Sequence, residues 1–283
     1  MDLKPEFLTV LLGSLSAVSW GSGDFIGGMA TKRNNVLTVM LVSQGVGAIL
    51  LVALALIFDK TLPPWSSLGW GALAGAVGII GLALFYHALA TGTMGVVAPV
   101  SAVTTALLPL GVAAVTEGAP GTLQQIGFGL ALVAVWLLAG GLSTHQPLKI
   151  SDLKLPVLAG ITFGLFFIFI DRAGTESTFF PLLAARAASL SLMGIALLTR
   201  GESARIPLPN LPAVAAAGIF DALGNAFFVL ATQAGRLDIA AMVSSLYPAS
   251  TVFLAWIILK ERMGKSQWTG VALALAALAL ISA

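Results

Sequence analysis

Long apolar runs separated by short polar joints dominate the chain. A helix that crosses a bilayer needs roughly 20 mainly apolar residues at about 1.5 Å each. Ten segments approach that length: residues 7–29, 36–58, 68–90, 94–116, 122–141, 155–173, 178–198, 211–234, 237–259 and 267–282. The joints between them hold most of the charged residues. The longest, Gly141 to Lys154, is polar and contains Pro147, which suits a joint (142–154) between two halves, 1–141 and 155–283. Asp2 and Glu6 spoil the positive region a cleaved signal would need, so 7–29 is expected as a retained first span. The pattern predicts an all-α membrane protein with ten transmembrane helices.

The pattern also repeats. Glu117 is followed by Gln124 and Gly127, and Glu261 by Gln267 and Gly270, each set running from the end of the fourth span into the fifth span of its half. Gly78-Ile79 and Ala90-Thr91 of the third span return as Gly218-Ile219 and Ala231-Thr232 of the eighth. At a constant offset, Gly13, Ala17, Trp20 and Asp24 fall opposite Gly160, Gly164, Phe167 and Asp171. This spacing puts each set on one helix face. Five spans per half is an odd number, so tandem copies insert with opposite orientations. Inverted five-helix repeats of this kind recur in secondary transporters, with the substrate site near the midplane between them.

Composition narrows the chemistry. Of 283 residues, 9% are charged and 58% hydrophobic, with a mean hydropathy of +1.00, against about 25% charged in soluble domains. Cys is absent and His occurs twice. Disulfides and thiolate sites are therefore excluded, and metal clusters are hard to assemble. No metal or other cofactor is expected, and a net charge of +2 gives no reason to expect nucleic acid.

Two five-helix repeats, each with Glu and a following Q-x-x-G at the fourth-to-fifth turn, resemble the EamA type of the drug/metabolite transporter superfamily. The resemblance covers about 7–141 and 155–282. It implies a carrier rather than an enzyme, one that exports amino acids, other metabolites or drugs. It also implies a central cavity lined by spans one to four and six to nine, with five and ten peripheral. Pro248 departs from the repeat, because Thr104 holds the matching position, flanked by Pro99 and Pro109.

Charges inside apolar spans point to the site, since each is costly and faces a cavity or a partner. Arg186, well inside the seventh span, offers a planar fork to a substrate carboxylate; a structural pair with Asp171 or Asp221 would also satisfy it. Asp221 and Asn225 lie one turn apart on the eighth span and suit a substrate amine, a coupling proton or a helix-to-helix bridge. Trp20, Tyr86 and His87 complete the expected substrate-binding set. Asp24 and Asp171, near the ends of their spans, are candidates for coupling, with a proton as the coupling ion, and Pro99 and Pro248 for hinges. The expected partners are thus a small organic solute and the lipid bilayer, with cationic drugs as the alternative cargo.

Two rival classes are weaker. Gly21-Ser22-Gly23-Asp24 matches the GxGD signature of intramembrane aspartyl proteases, but it precedes any second Asp and no Pro-Ala-Leu element occurs. Nothing resembles a channel's selectivity filter. Nine Lys and Arg fall in the joints on one side and four on the other. The positive-inside rule then places both termini outside the cytoplasm of a cell membrane.

Overall fold

The computed structural model describes residues 5–32, 34–59, 61–91, 94–138, 150–200, 205–260 and 262–282. Within them the chain is helical: α1 (Pro5–Thr31), α2 (Val36–Phe58), α3 (Trp65–Thr91), α4 (Met94–Thr116), α5 (Thr122–Leu138), α6 (Ile150–Ala173), α7 (Phe179–Arg200), α8 (Leu211–Ala234), α9 (Leu237–Ser244), α10 (Tyr247–Ile258) and α11 (Lys265–Ile281). Most of the 142–154 joint, together with Glu261, lies outside the described residues.

Among the described residues six stretches are long and apolar enough to cross a membrane: Val36–Phe58, Trp65–Phe85, Leu153–Ala173, Phe179–Thr199, Leu208–Ala234 and Leu237–Ile258. Val100–Thr116, Thr122–Leu138 and Lys265–Ile281 are shorter apolar helices. Of the ten expected spans, six stand clear among the described residues. The first segment is a long helix, but Gly, Ser, Glu6 and Asp24 dilute its apolar character.

The segment read as one span over 237–259 is two helices. Ser245 and Leu246 separate α9 from α10, and Pro248 follows in the first turn of α10. Proline has no N–H for the carbonyl four residues back, here that of Ser244, so the ladder stops. Ala249 N–H instead reaches Leu246 O at 2.9 Å. The hydroxyl of Ser245 is buried at the break and has no hydrogen-bond partner. Every residue of α9 is buried and none of α10 is.

Helices pack mainly on the other half. α1 lies along α8, and α3 along α6; α2 touches α7 and α8, and α3 also touches α7. α4 runs against α6, whereas α9 and α10 run against α1; α5 pairs with α11. Exchanging α1 with α6, α2 with α7, α3 with α8, α4 with α9–α10 and α5 with α11 maps this pattern onto itself.

The repeated Q-x-x-G motif has a physical reason. Gln124 Oε1 accepts from Gly121 N–H at 3.1 Å, and Gln267 Oε1 from Gly264 N–H at 3.0 Å, each closing the first turn of its helix. Three residues on, Gly127 meets Ile281 and Ala277 near the end of α11, while Gly270 meets Leu138 and Ala134 near the end of α5. The equivalent helices α5 and α11 therefore run antiparallel. On α3, Gly71 and Gly75 press against the backbone of Pro181 and Ala185 of α7, where any Cβ would collide. Small residues four apart permit such close approach, and this one seats the turn of α7 that carries Arg186.

Candidate functional site

α7 begins where α2 ends. The Asp59 carboxylate accepts from Ser177 Oγ at 2.7 Å, Phe179 N–H at 2.9 Å and Phe180 N–H at 3.1 Å. These are groups that a helix start leaves unsatisfied. With that end fixed and Ala185 seated on Gly75, Arg186 projects between α2 and α8. Its guanidinium donates to Gln44 Oε1 through one terminal nitrogen and to Asp221 Oδ2 through the other. Arg186 is 7% exposed, whereas the Asp221 side chain is 39% exposed. An ion pair open on its acidic side is the result.

Gly47 of α2 makes room for this pair. A Cβ there would come within 2.9 Å of Gly218 O and 3.7 Å of the Arg186 guanidinium. Gln44, one turn before, was not singled out from the sequence. The signal was present: a lone amide in the middle of the apolar run 36–58. Asn225 is brought alongside, but its amide donates to Asp221 O at 2.7 Å on its own helix. Its second amide N–H and its side-chain carbonyl are the remaining polar capacity.

Trp20 and Phe167, opposite one another in the sequence repeat, meet face to face with centroids 5.5 Å apart and planes within 8°. Phe228, one turn past Asn225 on α8, stacks on Phe167 at 4.3 Å and touches Trp20 at 5.8 Å. Trp20 also presses on Gly224. The three rings form one stack about two turns beyond Asp221 on α8, with Trp20 half-buried and the two Phe buried.

Asp24 reaches the same region. Gly23 packs on Ala217 and Asp221 of α8, and Gly21 on Tyr247 and Ser250 of α10. Asp24 itself, the residue after Gly23, is exposed.

Other expected site residues are elsewhere. Asp171 sits near the end of α6 against Thr232, towards Glu117, so the partner of Arg186 is Asp221 and not Asp171. His87 is exposed on α3, twelve residues beyond Gly75, or about 18 Å along the helix. Pro248 marks the α9–α10 break beside Tyr247. The side chains of Tyr86 and Pro99 lie outside the described residues.

A second polar cluster closes the end of the bundle where α8 meets α9. Arg236 binds Asp238 in bidentate fashion at 3.0 and 2.7 Å, and donates to Glu117 O at 3.1 Å and Gly118 O at 2.7 Å. Asp238 is 1% exposed. Partial burial, and then the charge of Asp238, push the Glu117 carboxyl up from its ordinary range. The hydrogen bond to Asp238 likewise raises Arg236. A recess of about 190 Å³ lined by Pro5, Glu6, Glu117, Gly235, Arg236 and Ile239 lies over this cluster.

The model of the EamA-like transporter family matches residues 7–140 and again 153–283. The chain belongs to the EamA-like transporter family. This EamA-like protein is accordingly a multi-pass membrane protein of a family of small-solute transporters, whose members are transporters rather than enzymes. The intramembrane protease alternative receives no support. A crystal structure described only as that of a protein shares the fold, with a TM-score of 0.80 over 96% of this chain and 95% of the other at 15% identity. No curated protein matches the chain.

Proposed function

We propose that this EamA-like transporter exports amino acids or similar zwitterions across the cell membrane, by alternating access around the Arg186–Asp221 pair. One observation carries the reading: a buried guanidinium shares its donors between a neutral amide, Gln44, and a carboxylate open to solvent. A substrate carboxylate replacing the Gln44 amide would exchange a neutral acceptor for a charged one, which roughly doubles the strength of the contact. The substrate ammonium then meets the acidic face formed by Asp221 and Asn225. Two repeats, 1–141 and 155–283, rock about this site, with both termini on the non-cytoplasmic side. Asp24, which has no ion-pair partner among the described residues, favours a second reading, efflux of organic cations by the same fold.

The test is flux from proteoliposomes loaded with radiolabelled amino acids, nucleosides or cationic drugs, with and without a pH gradient. Zwitterion flux should saturate. Arg186→Ala should abolish it, and Arg186→Lys should restore it poorly, because Lys lacks the planar fork. Full transport by the Arg186→Ala, Asp221→Ala double variant would make the pair structural and end this site assignment.

A further inference from the structure

The joint between α10 and α11 combines exposed aromatic rings with a cluster of cations. Trp256, near the end of α10, meets Trp268, near the start of α11, edge to face with ring centroids 5.5 Å apart. Phe253, one turn deeper along α10, adds its ring to Trp256 at 5.7 Å. Trp256 is 39% exposed and Trp268 49%, and Phe253 is exposed as well. The rise of a helix places both Trp within about 5 Å of the joint. Trp favours that depth in a bilayer, where headgroups give way to acyl chains.

The cations lie one turn from these rings. Lys260 follows Trp256, Lys265 precedes Trp268, and both are exposed, as is Arg262 between them. Glu261 is the one acid of the joint, so positive charge is in excess. Lys260 comes directly after the C-cap Leu259 and has a φ of 56°, the one positive φ of a non-glycine residue among those described. A left-handed residue that ends a helix is usually Gly; here the position carries a cation. The matching joint of the first half, Thr116 to Thr122, has neither a basic nor an aromatic residue. The repeat therefore does not need these groups to turn, and they are concentrated on one side.

Exposed rings on a membrane helix face acyl chains, while cations at the level of the headgroups match a phosphate. The start of α11 lies among them, and the positive end of its dipole has the same sign. We infer that this joint binds an anionic phospholipid, its phosphate among Lys260, Arg262 and Lys265 and its acyl chains along Trp256 and Trp268. The site is independent of the solute carried and of the Arg186–Asp221 pair.

Tryptophan fluorescence tests it. The full-length protein in non-ionic micelles is titrated with phosphatidylglycerol or phosphatidylcholine, each brominated on its acyl chains so that it quenches nearby indoles. Phosphatidylglycerol should reach half-maximal quenching at a mole fraction at least about fivefold lower, the effect of one basic residue beside an anionic surface. Millimolar inorganic phosphate should leave that preference intact in the wild type. Lys260→Gln, Arg262→Gln and Lys265→Gln together should remove it, whereas Lys32→Gln with Lys154→Gln should keep it. The preferentially quenched emission should be missing from Trp256→Phe with Trp268→Phe. Equal quenching of the wild type by the two lipids overturns the site, as does a preference that survives the triple variant or is displaced by phosphate. A wild-type dimer in native mass spectrometry, lost in the double Trp variant, would give the rings to a second copy and overturn it too.

Discussion

Asp59 belongs to α2, yet it sets where α7 starts. It satisfies two backbone N–H groups and the Ser177 hydroxyl, so Asp59→Ala should cost about 1–2 kcal/mol, the usual range for a lost cap. The turn that carries Arg186 is the second from that end, so the same variant should also raise the KM for substrate in the liposome assay while purified protein still folds. A change in stability alone, with KM untouched, would separate the cap from the site. Glu117 makes a different prediction. Its carboxyl is raised by burial and by Asp238, so the folded state holds that proton more firmly than the unfolded chain does. The ionised form is then a penalty present above the folded-state pKa and relieved as pH falls through the ordinary carboxylate range. Glu117→Gln should therefore melt slightly higher than the parent at neutral pH, with the gap closing near pH 4. The group is largely exposed, so the gain is small.

At the scale of elements, the period and length of the apolar runs made most helices legible, and the repeated Gln and Gly marked where α5 and α11 begin. The α9–α10 break was not read, although Pro248 was noted. A proline near the middle of an apolar run is compatible with a kink as well as with a stop. Tertiary contacts decide between them, here Gly13 against Val243 and Gly21 against Tyr247. Asp221, Asn225 and Arg186 were legible because charge inside an apolar run is conspicuous. The choice of Asp221 over Asp171 as partner was not, since it depends on which face of α7 meets α8. Pro248→Ala should restore a donor for the Ser244 carbonyl, adding about 1 kcal/mol. Hydrogen exchange at residues 245–249 should slow and transport should fall, if the break serves as a hinge. Transport unchanged with slower exchange would reduce the break to a packing feature.

For the whole molecule, the Arg236 cluster ties the α4–α5 turn to the start of α9. Removing Arg236 alone strands Asp238, which is buried, and should cost about 3–5 kcal/mol. Arg236→Ala with Asp238→Ala avoids the stranded charge and tests the tie itself. Because the wild-type chain has no Cys, Ser245→Cys supplies a clean reporter. It should resist a membrane-impermeant maleimide in the parent and react once both cluster residues are gone. Equal labelling in the two would show that the cluster does not hold this end shut.

The cross-half pairing has a consequence for how the protein is made. α1 is complete at Thr31, but its main companion, α8, begins only at Leu211. α3 likewise waits for α6, and α5 for α11. During synthesis α1 to α5 precede the helices they pack on, so Gln44 and the bare backbone at Gly71 and Gly75 are made before the partners that cover them. Residues 1–141 produced alone should consequently be short-lived in the cell. Supplying 155–283 from a second gene should rescue their abundance, as immunoblotting of both fragments would reveal. The newborn chain is thus most vulnerable to quality-control proteolysis in mid-translation, and its survival is settled by how quickly the second half arrives.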